Sequence, residues 1–169
     1  MLIRKVTSKD YQTIYQLVKT AFLTAKVSDG TEQDYVETLR KSPNYLPELE
    51  FVAVNDDELI GHIMLTKLEI NDQENKLPTL LLAPLCVALP YRSRGIGKKL
   101  IEYSKQVAIE AGYNSIVLVG DLNYYGRFGF KTIDHFNIKN IANISNEHLL
   151  ILELSPDALK EVQGTIKVI

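Results

Sequence analysis

Two short stretches of this chain carry residue types that can do chemistry. The first, Tyr91-Arg92-Ser93-Arg94-Gly95-Ile96-Gly97-Lys98, sets two glycines among cations. Glycines let the main chain approach a ligand, so successive amide N–H groups can converge on phosphate oxygens while the cations attract the same anion. The second stretch is Asn123-Tyr124-Tyr125-Gly126-Arg127-Phe128-Gly129-Phe130. A tyrosine with a free pKa of about 10 stays protonated at neutral pH and can act as a proton donor.

Both stretches need a strand before them and a helix around them. Leu80-Leu81-Leu82-Ala83-Pro84-Leu85-Cys86-Val87 is short and nearly all apolar, as a strand covered on both faces is. Pro84 cannot donate to a ladder, so it predicts a bulge or an unpaired stretch. From Ile96, apolar residues recur at Leu100, Ile101, Val107, Ala108 and Ala111, a helical stripe that closes at Gly112. The glycine pair therefore opens a helix, at its positive end. A Walker loop is excluded, because Arg92 stands at its first glycine and Lys99 at its final Ser or Thr. A dinucleotide fingerprint is excluded too, since Leu100 stands where the third glycine belongs.

Arg-x-x-Gly-x-Gly at a strand-to-helix junction resembles the acyl-CoA loop of the GNAT superfamily of N-acetyltransferases. Tyr125, four residues before Gly129-Phe130 and after the apolar run Ser115-Ile116-Val117-Leu118-Val119, matches that superfamily's tyrosine. The likeness extends through Ile3-Arg4, Ala21-Phe22, Glu32, Leu39-Arg40 and Gly164-Thr165, and is greatest to the YhbS-like bacterial group. It implies an α/β (α+β) fold: a mixed, mostly antiparallel central sheet of about 6–7 strands, flanked by helices and splayed at the acyl-CoA-binding strand. It also implies acetyl-CoA as cosubstrate, with no metal, and a primary amine as acceptor. By resemblance, Leu85, Cys86 and Val87 offer main chain to the pantetheine arm, and an amide near Cys86 or Val87 polarises the thioester carbonyl. Arg92, Ser93, Arg94, Gly95, Ile96, Gly97 and Lys98 hold the pyrophosphate, with Asn123 as a further contact. By the same resemblance, Tyr125 is the candidate general acid. The proline often found two residues after the strand's valine is displaced to Pro90, so the strand exit differs from the family pattern.

The base is less sharply marked, because no acid stands between Leu80 and Val87. Glu32 is a candidate base or acceptor contact, with a first-turn carboxylate favoured by the helix dipole as the plainer reading. Asp121 is a second candidate, its plainer role being a turn aspartate that bonds its own backbone. Tyr125 can likewise be a packing residue in a noncatalytic acyl-CoA-binding sensor or partner module. Cys86, flanked by Leu85 and Val87, reads as core and not as an acetyl carrier. His62, His135 and His148 show no metal-ligand spacing.

With 169 residues, 46% of them hydrophobic and 24% charged, the chain suits one domain, taken as 1–169, with a proper core. A net charge of −2 leaves no footprint for nucleic acid. No run approaches the roughly 20 apolar residues that span a bilayer, and no signal segment opens the chain, so a cytoplasmic protein without a membrane partner is expected. Nothing in the pattern decides between monomer and homodimer.

Elsewhere, a strand near 2–6 precedes a helix with Thr7 and Asp10 at capping-box spacing and Tyr11, Ile14, Leu17, Val18, Ala21 and Phe22 on one face. Ser28-Asp29-Gly30 breaks the pattern, and Thr31 with Asp34 is expected to cap a second helix that ends before Ser42-Pro43. Residues 49–54 and 59–70 read as antiparallel strands around Asn55-Asp56-Asp57, with a polar loop over 71–76. The Asn-Ile repeat over 137–146 reads as an irregular connection. Residues 149–154 read as a strand, Ser155-Pro156 as the start of a short helix, and 165–169 as an edge strand.

Overall fold

The computed structural model describes residues 1–26 and 28–168, which fall into two compact units: 1–66 with 83–108, and 67–82 with 109 onward. Nine strands and four α-helices are present among the described residues, and parallel pairing there is confined to two strand pairs. The strand count exceeds the expected 6–7 because short strands form where the sequence pattern is weak.

The first unit contains β1 (Leu2–Lys5), α1 (Tyr11–Phe22), α2 (Glu32–Arg40) and β2 (Glu50–Asn55). It also holds the start of β3 (Glu58–Asp72), the end of β4 (Asn75–Val87) and most of α3 (Ile96–Glu110). β2 runs antiparallel to both β1 and β3. The apolar stripe of α1 buries Ile14, Leu17, Val18 and Ala21 in one cluster with Val36 and Leu39 of α2 and with Val52, Met64 and Cys86 from the strands. Those helical and strand periodicities select the buried face, and water exclusion from it is the main driving force.

Asp10 reaches back to the Thr7 N–H at 2.8 Å, as the capping spacing predicts, although a 3-10 turn over Ser8–Asp10 comes before the α-helix. Arg4 forks onto the same carboxylate at 2.8 and 2.9 Å and holds it well below the usual carboxylate range. The Thr31/Asp34 cap does not form. Asp29 takes the Thr31 N–H and hydroxyl instead, and Asp34 accepts from Tyr15 and Gln33. Asp29 reaches Thr31 through a two-residue turn, a shorter closure than the helical one.

The second unit holds the hairpin end of β3 and β4, then β5 (Ser115–Val119), α4 (Leu122–Tyr125), β6 (Lys131–Thr132), β7 (Asn137–Asn140), β8 (Leu149–Glu153) and β9 (Gln163–Ile166). β8 lies antiparallel between β5 and β6, while β7 and β9 pair in parallel. The polar loop expected over 71–76 shrinks to a turn at Gln73-Glu74, because both strands continue as hairpin partners to Asp72 and from Asn75. The Asn-Ile segment is partly a strand. Ile138 is buried between exposed Asn137 and Lys139, a period of two that the three-residue repeat conceals. No helix follows Ser155-Pro156, where turns run through Asp157 at φ +57°. The expected edge strand over 165–169 is β9, which has a neighbour on each side through β7 and Asn71 of β3; Ile169 lies outside the described residues. No helix among the described residues is long and apolar enough to cross a membrane.

Candidate active site

β4 enters the first unit with its apolar side chains already committed. Its parallel register with β5 covers Leu80 and Leu81, and the strand continues through Pro84 to Val87 beyond those pairs. Cys86 is buried, and burial pushes its thiol up to about 12. A thiol held protonated in this way is a poor nucleophile, which accords with the core reading. At the strand exit Leu89–Tyr91, containing Pro90, form a 3-10 turn, with the Tyr91 N–H bonded to Ala88 O at 2.9 Å.

The chain then bends sharply into α3. Ser93 has φ +60° and Gly95 φ +78°, so two left-handed residues flank Arg94. For Ser93 this conformation costs roughly 1–2 kcal/mol, while Gly95 adopts it freely, and a Cβ built there would meet no protein atom. Gly97 is not in that conformation; it is buried within the first turn of α3. Of the two glycines, only Gly95 therefore serves the turn itself.

Lys99 N–H bonds to Gly95 O at 3.1 Å. The amides of Ile96, Gly97 and Lys98 precede it in the first turn, where helical geometry offers no carbonyl. That turn contains no acid, while Arg94, Lys98 and Lys99 are exposed around it. Cations at a helix N-terminus oppose the macrodipole, so this arrangement is favourable only toward an anion.

Arg92 differs from those cations. Its guanidinium donates to Thr24 Oγ1 at 2.7 Å, Ala21 O at 2.5 Å and Val87 O at 3.3 Å. It ties the loop to the end of α1 and the end of β4, so much of its donor capacity is spent on protein. Glu32 opens α2, accepting from the Asp29 N–H at 3.3 Å through Oε1, while its Oε2 is buried with no hydrogen-bond partner among the described residues.

Asp121, Asn123 and Tyr125 lie in the second unit. Asp121 caps α4, taking the Asn123 N–H at 2.9 Å, a structural task that matches its plainer reading. Asn123 is exposed. Tyr125 is half-buried at the end of α4, with edge-to-face contacts to Tyr124 at 4.9 Å and Phe130 at 5.7 Å between centroids. Tyr124, also half-buried, packs against Phe128 and beneath Arg127, and burial raises its phenol above the ordinary tyrosine value.

Sequence reasoning missed a buried polar cluster in the first unit. Glu50 accepts from Arg40, from Tyr45 at 2.6 Å and from His62 at 2.8 Å, and Arg40 stacks 4.0 Å over the Tyr11 ring. These residues are far apart in the chain and share no motif, so only the fold reveals them. Among the described residues no group of His, Cys, Asp and Glu is arranged to hold a metal ion.

Comparison with known proteins gives this geometry a lineage. The chain is 27% identical over 168 residues to the "Uncharacterized N-acetyltransferase YhbS" of Escherichia coli (strain K12), covering 99% of this chain and 95% of that one. A crystal structure of YhbS from Escherichia coli in complex with CoA superposes with a TM-score of 0.87 at 27% identity, over 99% of this chain and 89% of that one. A GNAT family acetyltransferase from Brucella melitensis in complex with acetyl-CoA gives a TM-score of 0.79 at 29% identity, over 99% and 95% of the two chains. The acetyltransferase (GNAT) domain profile matches residues 2–133, and the chain belongs to that family.

Proposed function

We propose that this chain is an acetyl-CoA-dependent N-acetyltransferase, one domain over residues 1–169, acting in the cytoplasm as a monomer or homodimer on a primary amine. The observation that carries the reading is the start of α3, where the first-turn amides precede the first helical hydrogen bond and exposed Arg94, Lys98 and Lys99 stand with no acid in that turn. The phosphates of acetyl-CoA supply the anion this turn requires. In this reading the amides from Ser93 to Lys98 take the pyrophosphate, and Arg94 and Lys98 add charge. Arg92 holds the loop in shape, and Leu85 to Val87 align the pantetheine arm by strand-like pairing.

The reaction is direct attack. The neutral amine's lone pair forms the C–N bond to the thioester carbonyl carbon, and a main-chain amide near Cys86 or Val87 stabilises the oxyanion. As the intermediate collapses the C–S bond breaks, and Tyr125 gives its phenolic proton to the departing sulfur. The excess proton of the amine leaves through Glu32, Asp121 or water. Of the two carboxylates, Glu32 is the better supported, because Asp121 is occupied as a helix cap while Glu32 keeps one buried oxygen unpaired.

The test is calorimetric titration of acetyl-CoA, followed by thiol release across a panel of polyamines, amino acids, aminoglycosides and peptides. Binding with acceptor-dependent thiol release supports the transferase and names its substrate class. Binding with no release in any condition, and no effect of Tyr125→Phe, would favour the noncatalytic acyl-CoA sensor.

A further inference from the structure

Gly120 sits between β5 and the Asp121 cap of α4, and its backbone does not require glycine, since it is absent from the residues with positive φ. Its N–H bonds to His148 O at 2.8 Å, an interaction open to any residue but proline. What requires glycine is the space. A Cβ at this position would fall 2.7 Å from Cε2 and 3.0 Å from Cδ2 of Tyr125, and 3.0 Å from Cδ1 of Leu118. The Tyr125 ring therefore rests directly on the main chain of residue 120. Tyr124 and Phe130 meet the same ring edge-to-face, at interplanar angles of 89° and 70°.

We infer that Gly120 is a positioning residue, whose missing side chain seats the Tyr125 ring and so sets where its phenol is presented. The inference rests on the reading of Tyr125 as proton donor. The step it serves is the one in which the C–S bond breaks, the phenolic proton passes to sulfur and the phenolate is reprotonated from water. An aromatic ring cannot flex away from a new Cβ as an aliphatic tip can. Even alanine at 120 must therefore rotate or lift the ring, and a displacement of about 1 Å at a reacting group can cost 100-fold in rate.

The test combines the wild-type chain, Tyr125→Phe, Gly120→Ala and the double variant with 3-fluorotyrosine labelling of the nine tyrosines. In the wild type, the fluorine resonance of Tyr125 is identified by its loss in Tyr125→Phe. Gly120→Ala is expected to shift that resonance and to lower thiol release from acetyl-CoA, with spermidine, kanamycin and a lysine peptide as acceptor probes, by about 10- to 100-fold. The KM for acetyl-CoA should stay within about twofold, and adding Gly120→Ala to Tyr125→Phe should cause no further loss. An unmoved Tyr125 resonance, or an equal loss in the Tyr125→Phe background, overturns the inference. Full turnover in Tyr125→Phe alone would instead refute the proton-donor reading, and the fluorine shift would still decide the seat. Should Gly120→Ala lower the melting temperature, it must lower it less in a Tyr125→Ala background than in the wild type; an equal loss also overturns the inference.

Discussion

Nε2 of His62 lies 2.8 Å from Oε1 of Glu50, and both side chains are fully buried. Burial pushes the Glu50 carboxyl up, but hydrogen bonds from His62 and Arg40 outweigh it and hold it down at about 2. Burial pushes the His62 imidazole below its ordinary value. Both shifts act in the same direction on stability, because the unfolded chain takes up each proton first. The His62 contribution is complete above about pH 6.5 and is lost as pH falls below it; that of Glu50 is complete above about pH 4.5 and is lost toward about pH 2. The melting temperature should therefore decline from about pH 7 to pH 5, and His62→Gln should flatten this decline. A wild-type melting temperature that stays level over this range would contradict the assignment.

A Cβ on Gly61 would lie 2.9 Å from Cδ1 of Leu100, 3.3 Å from Cγ2 of Ile96 and 3.4 Å from Cβ of Ala53. The bare backbone of β3 at this point lets the first turns of α3 close onto the sheet. Gly61→Ala should destabilise by about 1–3 kcal/mol through overpacking, lowering the melting temperature by roughly 2–4 °C per kcal/mol. Since the displaced turn carries the amides proposed to take the pyrophosphate, calorimetry should also show weaker acetyl-CoA binding. A variant with wild-type melting and affinity would show that Leu100 simply rotates aside.

Arg92 makes its three hydrogen bonds with a planar fork that lysine does not reproduce. Arg92→Lys should thus weaken acetyl-CoA binding nearly as much as Arg92→Gln, whereas Lys98→Ala removes only an exposed charge and should show a stronger salt dependence of what it loses. Titrations of the three variants at low and high salt distinguish the two roles. Normal affinity in Arg92→Lys would return Arg92 to the role of a simple phosphate cation.

With its thiol pushed up to about 12 in the apolar cluster, Cys86 should resist alkylation by iodoacetamide in the folded chain and react once the chain is unfolded. Cys86→Ala should retain turnover while losing some melting temperature. Loss of turnover with the fold intact, or an acetyl group trapped on Cys86, would establish the two-step route through the thiol.

By itself the sequence determined the local features of this protein. The stripe of α1, the strand-to-helix passage from Val87 to Ile96 and the order of its glycines and cations are set by side-chain periodicity and backbone freedom, which act over a few residues. Those features sufficed to identify the family and to single out Tyr125. Tertiary structure decided whatever depends on a partner distant in the chain. Glu50 acquires its Arg40, Tyr45 and His62 donors only when the end of α2, the turn after it and two strands meet. Ile138 becomes a strand residue because β9 lies alongside it. Arg92, read as a cation for the ligand, also donates to Ala21 O and Val87 O, because carbonyls at element ends need donors and its guanidinium is within reach. Gly120, which in the sequence marks only a turn, acquires its meaning from the Tyr125 ring resting on it. A side chain's absence becomes informative only once the space it would fill is known.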